Sequence, residues 1–161
     1  MTTDTAHTSY WQMSEVVFGV PLLAAIGLGW LLPLRVPPGS LRLALTRLGA
    51  AMLVAGFVVA IAARREFARQ RQSMEPRRSI SQIVDSGIFS LSRNPLYLGI
   101  AVGLAGASLA FNNLWILVLL LPAVVACHYV LIAPEERYLR AKFGERYLAY
   151  AARVRRWWGR G

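Results

Sequence analysis

The sequence predicts an all-α, polytopic membrane protein of about four transmembrane helices, followed by amphipathic C-terminal helices at the membrane surface. Three observations carry that expectation. Hydrophobic residues make up 56% of the 161 residues and the mean hydropathy is +0.44, both high for a soluble chain of this size. Several apolar runs approach or exceed the roughly 20 residues that cross a hydrocarbon core about 30 Å thick. The formal charge of +10 is almost wholly arginine. In a chain with such apolar runs it fits loops facing anionic lipid better than a nucleic-acid surface.

Residues 1–13 are polar, with Tyr10 and Trp11 placed as aromatic anchors at a headgroup boundary. They carry no lysine or arginine and no small-residue cleavage pattern, so a removed signal peptide is not expected. A first span is predicted over Ser14–Leu34, holding Pro21, Gly27 and Gly29, which membrane helices tolerate. The run Arg35-Val36-Pro37-Pro38-Gly39-Ser40 breaks it. A second span over Leu41–Ala63 completes a transmembrane hairpin, 14–63, with Arg42 and Arg47 near its start, where they can snorkel to the interface. Residues 64–92 turn to Arg, Gln, Ser, Glu and Pro and read as a cytoplasmic connection with a short helix through Phe67.

The remainder, 93–161, reads as the cofactor-binding part. Asn94 is a favoured N-cap and Pro95 suits the first helical position, so a third span is expected over Pro95–Phe111. Asn112-Asn113 makes a tight turn, and a fourth span over Leu114–Ala133 returns antiparallel to the third. After Pro134, the residues Leu139, Phe143, Tyr147, Tyr150 and Val154 recur at helical spacing opposite Arg137, Arg140 and Arg155, with Gly144 dividing two short helices. The eighteen basic residues divide as three in the first hairpin, seven in the connection and eight after Pro134. Both basic regions then face the cytoplasm, and the N-terminus with them.

Chemistry is expected where the third and fourth spans meet on that side. The N-terminus of one helix favours anions and the C-terminus of the other favours cations. Arg93 and the free N–H groups after Asn94 could hold a carboxylate or phosphate; Glu135 and Glu136 could hold an ammonium, a sulfonium or a ribose diol. Each has a plainer reading: Arg93 as a positive-inside residue, and the two glutamates as carboxylates that stabilise a new helix after Pro134. Gly99, Gly103 and Ala107 form a small-xxx-small series whose first explanation is helix packing. Cys127 is the only cysteine and reads as a buried structural thiol; His128 has no second histidine beside it, and no metal site is expected. Tyr147 or Tyr150 could close over a cofactor.

The run Ser-Gly-Ile-Phe-Ser-Leu-Ser-Arg-Asn-Pro-Leu-Tyr-Leu-Gly at 86–99, the apolar hairpin, Pro-Glu-Glu-Arg-Tyr-Leu at 134–139 and Phe-Gly-Glu-Arg-Tyr-Leu-Ala-Tyr at 143–150 together resemble the isoprenylcysteine carboxyl methyltransferase and phospholipid methyltransferase superfamily. The similarity covers residues 80–158. It implies S-adenosylmethionine as cofactor, held at the cytoplasmic face by an Arg-His-Pro-x-Tyr-x-Gly motif and a Glu-Glu pair. Carried over to this sequence, the cofactor-binding residues are Arg93, Asn94, Pro95, Tyr97 and Gly99 from the first element and Glu135 and Glu136 from the second. Two positions depart from the pattern: Asn94 stands where the eukaryotic enzymes have histidine, and Ile88 where a proline is common. The implied activity is methyl transfer to a lipophilic or amphipathic acceptor, an isoprenylcysteine-like carboxylate or a lipid, in a bacterial cytoplasmic membrane. The competing classes are an NADPH-dependent membrane reductase of the sterol-reductase type and a non-enzymatic protein that binds anionic lipid or a partner. No nucleic-acid partner is expected, and the acceptor and oligomeric state stay open.

Overall fold

The computed structural model describes residues 14–70 and 82–161. The N-terminal segment with Tyr10 and Trp11, and Arg71, Arg77 and Arg78 of the basic connection, lie outside them. The described residues are helical: α1 (Ser14–Leu31), α2 (Ser40–Arg69), α3 (Pro95–Ala110), α4 (Leu114–Cys127), α5 (Ala133–Phe143) and α6 (Glu145–Arg153). A short 3-10 turn, Gly87–Ser90, precedes α3, and a π-turn, His128–Ile132, joins α4 to α5. Among the described residues three helices are long and apolar enough to cross a membrane, Ser14–Leu31, Ser40–Arg69 and Leu114–Phe143, with Pro95–Ala110 a shorter apolar helix beside them. The protein is an all-α integral membrane protein.

The helices pair antiparallel, α2 with α3 and α1 with α4, while α3 also touches α4. The α2–α3 seam brings backbone against backbone, and glycine makes it possible. Gly49, Gly56 and Ala63 recur every seventh residue on α2 and are buried there. A Cβ added at Gly56 would fall on the backbone of Gly99 and Gly103, and one added at Gly106 would fall on that of Gly49 and Leu53. Small residues admit this backbone contact where lipid supplies no hydrophobic drive between helices. The expected packing role of Gly99 and Gly103 is therefore met, with α2 as the partner.

At one end of the bundle the Asn112-Asn113 turn ties the two hairpins together. Asn112, at φ 54, accepts from the Val36 N–H at 2.8 Å and donates to the Val36 carbonyl at 3.1 Å. Asn113 caps α4 by accepting from the Trp115 N–H, and its amide donates to the Ala25 carbonyl at 3.0 Å in space left by Gly29. Trp115 Nε1 donates to the Leu32 carbonyl at 2.7 Å.

Several boundaries differ from the sequence expectation. α1 stops at Leu31 rather than Leu34, because Pro33 disfavours the helical region for the residue before it. α2 runs on past Ala63 to Arg69, absorbing the short helix expected around Phe67. Its 30 residues give about 45 Å at 1.5 Å per residue, well beyond the hydrocarbon thickness. The fourth span does not end near Ala133. It continues through the π-turn into α5, the Ala133 N–H reaching back to the His128 carbonyl, so that Pro134 sits inside one long helix. Proline in a helix loses a hydrogen bond and clashes with the carbonyl four residues earlier; the wider π-turn relieves both. Gly144, at φ 51, separates α5 from α6 as expected.

Candidate active site

The charged cluster lies at the end of the bundle opposite the asparagine turn and is built from three pieces of chain. The first is the entry to α3. Pro95 is fully buried at the first helical position, and Asn94 sits at the N-cap without capping: its side chain donates instead to the Arg156 carbonyl at 3.1 Å. The second is the start of α5, which carries Glu135 and Glu136. The third is the C-terminal tail beyond α6, held against the first by the Arg93 N–H to the Arg155 carbonyl at 3.1 Å and by the Gly159 N–H to the Leu91 carbonyl at 2.7 Å.

These pieces bring Arg93, Tyr97, Glu135 and Glu136 together. The Tyr97 hydroxyl donates to Glu135 Oε1 at 2.7 Å, and Arg93 Nη1 lies 3.2 Å from Glu136 Oε1, each side chain of that pair only 15% exposed. Arg156 adds a fork to Glu136, Nε to Oε1 at 3.0 Å and Nη2 to Oε2 at 2.7 Å, so two guanidinium groups flank one carboxylate. Arg93 Nη1 also donates to the Tyr147 hydroxyl at 3.4 Å, while Arg93 Nε is buried without a hydrogen-bond partner. Burial, then the Glu136 charge, pushes the Tyr147 phenol above its ordinary value, so it stays neutral at physiological pH. The hydrogen bonds that Arg156 donates to Glu136 raise its already high value further, fixing its charge.

The origin of the negative character differs from the sequence expectation. Because α4 runs through into α5, α4 has no C-terminus beside the N-terminus of α3, and its macrodipole adds no negative character at the glutamates. The carboxylates alone supply the charge. For the same reason the plainer reading of Glu135 and Glu136 loses its ground, since the continuous helix offers no fresh N-terminus for them to stabilise. A largely buried ion pair is weak as a stability device, because desolvation consumes most of the Coulombic gain.

The other predicted residues stand apart from the carboxylates. Asn94 faces the tail, Pro95 is packed within the fold, and Gly99 lies against Gly56 and Ala60 of α2, 2.7 Å from the Gly56 carbonyl oxygen were a Cβ added. Of the two tyrosines expected to close over a cofactor, Tyr147 reaches Arg93, whereas the Tyr150 hydroxyl donates to the Phe89 carbonyl at 2.8 Å. Cys127 is fully buried in the core with Phe18, Leu120 and Leu131. His128 lies in the π-turn with its ring edge-on to Tyr129. Arg156 was not foreseen. It is 63 residues from Arg93 in a tail whose arginines and tryptophans look like interfacial anchors, and no spacing rule links it to the motif. A cavity of ≈ 450 Å³ at the asparagine end, lined by Trp30, Arg35, Phe111 and Asn112 among others, contains none of the predicted site residues.

A family model described as phospholipid methyltransferase matches residues 45–146, more than half of the chain. No curated protein and no solved structure matches. The matched region takes in most of α2, the α3–α4 hairpin, Arg93, Tyr97 and both glutamates, and stops just before Tyr147. With a match of that extent over a helical membrane scaffold, the chain belongs to the phospholipid methyltransferase family of membrane methyltransferases.

Proposed function

We propose that the protein is an S-adenosylmethionine-dependent methyltransferase whose site faces the cytoplasm and whose acceptor is a lipophilic or amphipathic molecule drawn from the bilayer. The observation that carries this reading is the meeting of Arg93, Tyr97, Glu135 and Glu136 at one end of the bundle. Their chemistry fits the cofactor. A guanidinium with an unpartnered buried Nε suits an amino-acid carboxylate, and a carboxylate suits an ammonium or a ribose diol.

The bound cofactor supplies an electrophilic methyl group on sulfur. Arg93, whose Nη1 also donates to the neutral Tyr147 hydroxyl, would take the carboxylate. Glu135, oriented by the Tyr97 hydroxyl, would take the ammonium or the ribose, and the Arg156 fork holds Glu136 in place. The protein's task is alignment and exclusion of water, since an in-line displacement needs no covalent enzyme intermediate. A carboxylate acceptor attacks as it stands; an amine acceptor must first lose a proton, for which Glu135 is the nearest carboxylate held by a neutral donor.

The test is a thermal-shift titration in detergent with S-adenosylmethionine and, separately, NADPH. A ligand at a hundred times its Kd should stabilise the folded state by about 2.7 kcal/mol. S-adenosylmethionine alone should raise the midpoint, and Glu135→Gln with Glu136→Gln should remove the rise. A shift with NADPH alone, or with neither, sinks the proposal.

A further inference from the structure

Glu66 is the one carboxylate on α2, and it is buried at 9% exposure just beyond the exposed Arg64 and Arg65. Its own helix gives it no reason to be there. It lies in the last turn of α2, where the macrodipole disfavours negative charge, and burial of a carboxylate is costly unless its oxygens are satisfied. Part of the satisfaction comes from its own helix end and part from the segment that leads to the active site. The Ser86 hydroxyl donates a short hydrogen bond to Glu66 Oε1, Gln70 Nε2 donates to the same oxygen at 3.1 Å and to Ser86 Oγ at 2.7 Å, and Arg69 Nη1 lies 3.7 Å from Oε2.

Gly87 then closes over the carboxylate. Its φ of +56° is one that side chains rarely adopt, so the conformation favours glycine, and a Cβ there would stand 2.8 Å from Glu66 Oε2 and push on the carboxylate. From this anchored point the 3-10 turn drives Phe89 inward against Ala63, Val84 and Phe67, the two phenyl rings 5.1 Å apart. The Phe89 carbonyl receives the Tyr150 hydroxyl, and four residues later the Arg93 N–H is bound to the Arg155 carbonyl. Residues 86–93 are thus fastened at both ends, to α2 at Ser86-Gly87 and to α6 and the tail at Phe89 and Arg93.

We propose that Glu66 is a positioning residue for the active site: it anchors Ser86-Gly87 so that the segment beyond presents Arg93 to Glu136. Its meaning for cofactor binding rests on the function proposed above, but its effect on Arg93 does not. The experiment therefore has two arms, both on the full chain in detergent.

In the first, amide hydrogen exchange is followed over residues 86–94 in the wild type, Glu66→Ala, Glu66→Asp and Ser86→Ala. Loss of a hydrogen-bonded charged partner should speed exchange of the Arg93 amide about tenfold in Glu66→Ala and less in Glu66→Asp, which keeps the charge. Ser86→Ala, which leaves Gln70 on the carboxylate and so keeps α2 intact, should act in the same direction. Faster exchange confined to residues 86–88, with the Arg93 amide unchanged, overturns the proposal.

In the second arm, S-adenosylmethionine affinity is measured by titration calorimetry. Glu66→Ala should weaken it about tenfold, Glu66→Asp should recover part of the loss, and adding Ser86→Ala to Glu66→Ala should cost nothing more, because both act through one contact. Additive losses count against Glu66. A wild type that does not bind S-adenosylmethionine sinks the cofactor reading, and the exchange arm still decides the role of Glu66.

Discussion

The two ends of the helical bundle face the same problem, holding the chain together where the helices stop, and they solve it with different chemistry. At the Asn112-Asn113 end every fastening is neutral: side-chain amides, an indole and backbone groups of Ala25, Leu32 and Val36. At the other end neutral bonds, such as Asn94 to the Arg156 carbonyl, stand beside ionised ones, with Glu136 held between Arg93 and Arg156. Neutral amides do the job without the desolvation cost of buried charge. A folding requirement common to both ends cannot account for charge at only one of them, so the ionised end is the one shaped by something besides folding.

Exchanging the consequences of damage at the two ends would break that comparison. The largest effect is expected from Arg93→Ala. Removing a preorganised charged donor lowers turnover by about 10²–10³, and methyl transfer should fall by that order while the far-UV helical signal is kept. If activity and helicity were lost together, Arg93 would belong with the structural fastenings. Next is Asn113→Ala, which removes the bond to the Ala25 carbonyl and leaves the Trp115 N–H at the α4 N-terminus without its cap. Thermal unfolding should show a loss of about 1–3 kcal/mol, with kcat of the surviving folded protein unchanged.

The smallest is Tyr147→Phe, which deletes one long hydrogen bond to Arg93. S-adenosylmethionine affinity at neutral pH should change by no more than about twofold. Its pH signature is sharper. Burial raises the phenol value in the folded state above the unfolded value of about 10. The group's contribution to stability is therefore complete below that pH and is lost as pH rises through the folded value. The Phe variant should lose less stability than the wild type between pH 9 and 11, in midpoints measured across that range.

What the sequence disclosed and what it hid divide along physical lines. Runs of apolar residues report burial in lipid, so the helices were visible, and the Asn112-Asn113 turn was visible because it interrupts them. Their ends were less so. Arg64, Arg65 and Arg69 mark where hydrocarbon stops, but arginine is a good helix former, and backbone hydrogen bonding carries α2 past that limit. Arg93 and the Glu135-Glu136 pair could be placed at one end of the bundle from the hairpin alone. Arg156 could not, because it arrives by tertiary return of the tail. Gly99 shared a motif with Arg93 and Tyr97 and so looked like part of one site; its burial against Gly56 belongs to helix packing. The partner series was readable all along in the seven-residue spacing of Gly49, Gly56 and Ala63, a spacing that keeps one face of a helix against its neighbour.

The π-turn at His128–Ile132 gives the molecule a rotational setting. A π-turn amounts to one residue inserted into an α-helix, and each residue of an α-helix turns the chain by about 100°. Everything beyond it, Glu135 and Glu136 included, is therefore dialled round the helix axis relative to the stretch that crosses the membrane. Shortening 128–132 by one residue would leave a regular helix of the same hydrophobicity, aimed wrongly. Both acids would swing from Arg93 and Tyr97 toward another sector of the bundle, with no residue of the site itself altered.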